Sequence, residues 1–258
     1  MIVVEIMFRK IKSTTGILKN KVFYKRHDYT DVSMLKLRVY DGYYHNKRCF
    51  LIGSGPSLRD ENLEPLKKEI TMGMNLSYKY FPATFHTVAS QNILMRYGYD
   101  VLGLKKLFLS GTASRYYLRN KDIFNLDNQI ITIPDYGEIQ TWENIHRDIA
   151  RKGVRGGFSV SLIALQILGY MGFSEIFLLG HDCNYTDDTL PFYRYELSGK
   201  LREKARNRNK HWSTVFANYK IIKDNFEEKG IKIYNASSKT NLDVFEKVKL
   251  EDVLLWKR

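Results

Sequence analysis

The sequence predicts an α/β fold: a single Rossmann-like domain with a mostly parallel sheet and helices on both faces. Three observations carry this. Short apolar runs of strand length recur along the chain, and each ends in glycine or polar residues. The first, Cys49 to Ile52, breaks into Gly53-Ser54-Gly55-Pro56, a strand-to-helix corner in which proline suits the first helical turn. A segment with helical spacing, Val160 to Tyr170, lies just before the most apolar run of all, Glu175 to Gly180. Strands that alternate with helical segments are the pattern of a parallel sheet.

The chain has 258 residues, of which 44% are hydrophobic, enough for one well-buried core. Residues 1–47 are basic, tyrosine-rich and poorly periodic, and read as an extension packed onto a core domain of residues 48–258. The formal charge is +13. Between Arg9 and Arg26 there are seven basic residues and no acidic one, next to apolar Ile2, Val3, Val4, Ile6, Met7 and Phe8. Residues 1–26 therefore suit either a peripheral contact with an anionic membrane or a solvated basic arm. No zinc knuckle, helix-turn-helix or RNA-binding aromatic signature accompanies the charge, so nucleic acid is not an expected partner. Arg9, Lys10 and Lys12 interrupt the first apolar run too soon for a membrane span, and no cleavable signal pattern appears. With two cysteines, Cys49 and Cys183, both in apolar contexts, neither a disulfide framework nor a thiolate metal site is expected, and the compartment reads as reducing and cytoplasmic.

After the glycine corner, Glu61 to Lys68 reads as a short polar helix. Ile70 to Met74 reads as a second strand, ending at Asn75. Phe85 to Ala89 is a third, ending at Ser90-Gln91-Asn92, and Leu107–Ser110 and Ile130–Ile133 are two more. A second glycine corner, Arg155-Gly156-Gly157-Phe158-Ser159, opens the helix from Val160, with Ser159 as its cap. The strand Glu175 to Gly180 delivers His181-Asp182-Cys183-Asn184-Tyr185. Residues 186–210 read either as a mobile lid or as a solvated insertion, because basic residues fall at every second position from Lys200 to Lys210. A helix from Trp212 to Lys229, stopped by Gly230, leads into a strand, Ile231 to Tyr234.

In open α/β sheets ligands collect at the carboxyl ends of strands, and a glycine corner at a helix start favours phosphate. The corner at Gly53–Ser57 thus reads as a nucleotide or phosphate site, with a plain tight turn as the competing reading. It lacks the third glycine of the dinucleotide fingerprint and the Lys-Ser/Thr of a Walker loop. No strong metal pattern is present. Asp182, Asp187 and Asp188 read as a solvated acidic loop rather than a magnesium site. Tyr185, Tyr193 and Tyr195 can donate to a leaving phosphate, and His211 can accept a proton from an attacking hydroxyl, which together make the parts of a metal-independent transferase.

Gly53-Ser54-Gly55-Pro56-Ser57-Leu58, Asn75, the run from Gly172 to Asp182 and His211-Trp212-Ser213 resemble the ordered landmarks of bacterial CMP-sialic-acid-dependent sialyltransferases. They are still more similar to a broad family found in surface-polysaccharide and flagellin-glycosylation contexts and named for its likeness to archaeal 6-hydroxymethylpterin diphosphokinase. The resemblance covers about residues 48 to 250. It implies that Gly53, Ser54, Gly55, Pro56, Ser57 and Asn75 hold a CMP moiety, with Gly156, Gly157, Ser159 and Asp182 lining the same pocket. Ser90, Gln91 and Asn92 stand where that family has Asn-Pro. It further implies that Tyr185, with Tyr193 or Tyr195, contacts the leaving phosphate and that His211 is the general base. The expectation is an inverting glycosyltransferase that moves a nonulosonic acid from a CMP donor to a glycan or glycolipid acceptor without a metal or other cofactor. The alternative is an ATP- and magnesium-dependent diphosphokinase, with Asp182, Asp187 or Asp188 as ligands. A third reading is a CMP-binding module without turnover. The oligomeric state stays open, a homo-oligomer included.

Overall fold

The structure, a computed structural model, describes residues 31–120, 130–139, 145, 147–183 and 211–256. Among these residues eight strands form one sheet: β1 Arg48–Ile52, β2 Thr71–Met74, β3 Phe85–Val88, β4 Leu107–Leu109, β5 Ile131–Thr132, β6 Glu175–Leu179, β7 Lys232–Asn235 and β8 Glu246–Lys247. Their order is β5-β4-β3-β2-β1-β6-β7-β8, and every pairing is parallel. The chain lays β2 to β5 outward on one side of β1, then returns to lay β6 to β8 on the other. The order therefore reverses between β1 and β6, which are in register from Arg48↔Glu175 to Ile52↔Leu179.

Both faces of the sheet are covered, as the continuous apolar runs require. Cys49, Leu51, Ile176 and Leu178 point into a core shared with helix α5 Val160–Tyr170 and helix α6 Trp212–Glu227. Phe50, Ile52, Phe177 and Leu179 alternate to the opposite face, against Leu58, Leu66 and helix α7 Leu250–Leu255. Helix α5 is apolar nearly all round because the sheet and α6 enclose it. Its one long polar side chain, Gln166, is satisfied internally by the Arg155 N–H and by the carbonyls of Arg155 and Leu162. Ser159 caps the helix by accepting the Ser161 N–H.

Helices α2 Gln91–Leu102 and α3 Gly111–Arg119 cover the β3–β5 end over a third cluster, and α4 Ile149–Lys152 precedes the second glycine corner. Helix α1 Asp31–Arg38 and the turns after it join the main core through Leu37, Tyr40 and Tyr44, and Ser33 Oγ accepts the Thr132 N–H of β5. Arg48 fixes the start of β1 by a doubled ion pair with Glu69 and a bond to the Val253 carbonyl.

One element differs from expectation. Glu61 to Lys68 is not one helix, since two short 3-10 turns, Pro56–Asp60 and Glu64–Lys68, take its place. Pro65 has no N–H to donate back along an α-helix, so the chain restarts there. Among the described residues no helix is long and apolar enough to cross a membrane. Residues 1–30 and the lid at 186–210 lie outside the described residues.

Candidate functional site

A cleft of about 520 Å³ opens along the carboxyl ends of the strands and takes in the β1/β6 reversal. Gly53, Ser54 and Gly55 leave β1 there and meet Gly180, His181 and Asp182 leaving β6. The Gly53 N–H donates to Leu179 O at 2.7 Å, and the Gly55 N–H to Gly180 O at 2.9 Å. The Ser57 N–H donates to Asp182 Oδ2 at 2.9 Å, and the Ser57 hydroxyl donates to Asp182 Oδ1.

These bonds revise the expected phosphate cradle. The helix-start amide that would meet an anion is already given to the chain's own carboxylate, on a 3-10 turn of only five residues. A Cβ on Gly53 would lie 3.2 Å from Leu179 O and closer still to Gly180 O, and one on Gly55 would overlap the Asp182 carboxylate. Gly55 has an ordinary φ of −66°, so the requirement for glycine is steric and comes from β6. The left-handed backbone lies across the wall instead, at Gly180 (φ 65°) and Cys183 (φ 53°).

Strain gathers around this cleft. Of the five non-glycine residues with positive φ among those described, Asn75 (52°), Phe158 (68°) and Cys183 (53°) line it. Asn75 is held by a 2.8 Å bond from His86 Nε2 to its carbonyl, while its side-chain Oδ1 is buried with no partner. A buried acceptor without a protein partner at a cleft wall is placed to receive a hydrogen bond from a ligand donor. Phe158 exposes 56% of its surface, and its ring stacks on His211 at 5.3 Å and 15°.

The residues singled out from the sequence are distributed as follows. Gly53, Ser54, Gly55, Asn75, Ser90, Gly156, Ser159, Asp182 and His211 line the cleft together. Pro56 and Ser57 lie behind its wall, in the turn that binds Asp182. Gln91 and Asn92 are exposed residues of the first turn of α2, outside the cleft lining, because only the strand end itself faces inward. Gly157 is also set back, where a Cβ would meet Leu162 and Asn218. Tyr185, Tyr193, Tyr195, Asp187 and Asp188 lie outside the described residues. Among the described residues no three His, Cys, Asp or Glu side chains are grouped to hold a metal.

The two histidines at the cleft differ in what they can do. His181 is buried, and its Nδ1 faces the Leu179 carbonyl at 3.0 Å. A carbonyl only accepts, so Nδ1 carries the hydrogen and Nε2 accepts from the Ser161 hydroxyl at 2.7 Å. Burial pushes the His181 imidazole down to about 4. It is neutral, with its accepting nitrogen engaged and its charged form disfavoured. His211, by contrast, is exposed at the start of α6, and no hydrogen bond from its side chain caps the helix. Burial pushes the Cys183 thiol up to about 12, which disfavours the reactive thiolate. Burial likewise raises the carboxyl of Asp182, against the opposing bonds from Ser57.

The structure adds Asp135, Thr112, Phe158, Ser161, Trp212 and Tyr219 to the cleft, none of which was singled out as a site residue from the sequence. Asp135 carried a usable signal, a polar residue just past the apolar run Ile130–Ile133. Trp212 stood beside His211 in a quoted landmark but was given no role, and Tyr219 carried no signal, because aromatics at helical spacing read as core. Compared with known proteins, the chain matches no family model, no curated protein and no solved structure.

Proposed function

We propose that the chain is a nucleotide-dependent glycosyltransferase in which a CMP-activated nonulosonic acid is the donor and His211 accepts the proton of the attacking acceptor hydroxyl. The observation that carries this reading is the contrast between the two histidines on one strand-end cleft. His211 is exposed at the cleft wall with its ring positioned by Phe158, whereas His181 is buried and engaged with Ser161. A base must reach a proton on a bound ligand, and only the first histidine is so placed.

In the proposed reaction the acceptor oxygen attacks the anomeric carbon, and the bond from that carbon to the phosphate oxygen breaks. CMP departs with the electron pair, and the hydroxyl proton passes to His211. Inversion follows from direct displacement. Asn75 and Ser159 supply polar contacts for the nucleotide, and the family resemblance gives Tyr185, with Tyr193 or Tyr195, the role of steadying the leaving phosphate. The acceptor would be a surface glycan or glycolipid reached from the cytoplasmic side, with the basic arm at residues 1–26 against the membrane.

Single-turnover transfer from a CMP-sugar, measured for wild type, His211→Ala and His181→Ala, tests the assignment. His211→Ala should lose about 10²–10⁴-fold in rate while keeping its affinity for CMP. Near-wild-type turnover in that variant would overturn the assignment. A thermal-shift comparison that shows stabilisation by ATP with magnesium, and none by CMP, would replace glycosyl transfer with diphosphate transfer.

A further inference from the structure

The β3–β5 end of the cleft, away from the glycine corner, contains a carboxylate that the chemistry above does not use. Asp135 follows β5, and its backbone bridges to Val154. Its Oδ1 accepts two amide hydrogens, from Gly137 and from Gly156, each at 2.9 Å. One of these bonds lies in its own turn and the other comes from the corner that opens α5, so the carboxylate is clamped between two loops. With Oδ1 occupied, Oδ2 receives no hydrogen bond among the described residues, and Asp135 lines the cleft. The backbone approaches that oxygen closely, and the residues that do so are glycines. A Cβ on Gly111 would lie 3.3 Å from Oδ2, and one on Gly156 only 2.7 Å. Burial raises this carboxyl, while the two amides, Arg115 and Arg155 act to keep it charged.

Fastening two loops together would account for Oδ1 alone. We propose that Asp135 Oδ2 centres a subsite for the hydroxyl groups of a sugar. A carboxylate oxygen can only accept, so the complementary ligand group is an O–H or N–H donor. The surroundings fit a sugar ring. Ser90, at the end of β3, lines the same cleft with a hydroxyl that caps nothing, and Phe158, 56% exposed, adds aromatic surface to the lining. Six neighbouring strand ends span about 24 Å, room for a nucleotide at the β1/β6 wall and a sugar towards β5. That division of the cleft rests on the glycosyltransferase reading, but the sugar subsite itself can be tested without it. The sugar is either the donor's or the acceptor's, since the two share this chemistry.

Asp135→Asn is the informative variant, because its side-chain oxygen can still accept both glycine amides. Its thermal melt should stay within a few degrees of wild type. Saturation-transfer NMR with an equimolar mixture of methyl glucoside, methyl galactoside and methyl N-acetylglucosaminide should show ring-proton signals for wild type. Loss of one charge-assisted bond should weaken them roughly tenfold or more in Asp135→Asn. Equal signals in both proteins, or none in wild type, would overturn the subsite. Calorimetry then separates the sources. If Asp135→Asn weakens CMP-N-acetylneuraminic acid but not CMP, the subsite holds the donor sugar. If both nucleotides bind unchanged while the glycosides are lost, it holds the acceptor. A wild-type protein that binds the glycosides but no CMP would remove the glycosyltransferase reading and leave the subsite standing.

Discussion

Gly55→Ala should destabilise the fold rather than merely weaken a ligand. The new methyl would sit 2.7 Å from Gly180 O and would overlap the Asp182 carboxylate. The backbone angle is not the difficulty, since φ at Gly55 is −66°. Asp182 cannot simply swing aside, because the Ser57 N–H and hydroxyl hold it from the same turn, and it is 3% exposed. Overpacking a close contact costs about 1–3 kcal/mol. Losing a hydrogen bond to a charged group costs a further ~1.5–3 kcal/mol, so a total of roughly 2.5–6 kcal/mol is expected. Urea denaturation monitored by tryptophan fluorescence reads this as a lower midpoint at unchanged slope. Ser54→Ala, on the adjacent cleft-lining residue, should stay within about 0.5 kcal/mol. In the double variant Gly55→Ala/Asp182→Ala the carboxylate is gone, so the two losses should not add; a coupling of about 1 kcal/mol or more is expected. A Gly55→Ala protein as stable as wild type that has lost only CMP affinity would refute this reasoning, because the clearance would then serve a ligand and not β6.

Phe158→Gly should separate stability from function. Left-handed backbone costs an L-residue about 1–2 kcal/mol, against roughly 0.5–1 kcal/mol of extra chain entropy for glycine, so the urea midpoint should stay level or rise. Transfer activity should fall as His211 loses its stacking partner, and a clear loss of stability would contradict the account of strain. Acid should destabilise the protein through His86 and His181, whose imidazoles burial pushes from 6.5 to about 4. A depressed folded value means that the unfolded chain takes up the proton first, so stability is complete above pH 6.5 and is lost as pH falls towards 4. Between pH 6.5 and 5 each histidine should contribute a loss of about 1.6 kcal/mol, and urea midpoints for His181→Gln should show roughly half the wild-type pH dependence.

The strands were legible because burial on both faces writes an unbroken apolar run into the chain, as at Cys49–Ile52 and Glu175–Leu179. Helix α5 was legible to its ends, since Ser159 and the apolar spacing after it are local signals. Helices α2 and α3 were harder to see. Gly98 and a run of tyrosines blur their periodicity, and α2 bends at Tyr97, with φ −130° and ψ 26°. The strands β5 and β8, two residues each, are fixed only by the neighbours they pair with.

For the site, the sequence by itself determined which strand ends carry polar residues, and with them Asn75, Ser90, Gly156, Asp182 and His211 as candidates. Only the tertiary structure decided what those residues face. The glycine corner reads locally as a free helix start, yet its amide is given to Asp182, 125 residues later in the chain, because β1 and β6 are neighbours in the sheet. His181 and His211 are the same residue type at similar local positions, at the edges of a strand and of a helix. Long-range packing buries one against Ser161 and leaves the other exposed beside Phe158. Asp135 gains its fixed oxygen only when Gly156 arrives from the next loop. Hydrogen-bond partners and burial depend on which segments meet in space, and side-chain periodicity along the chain does not encode that.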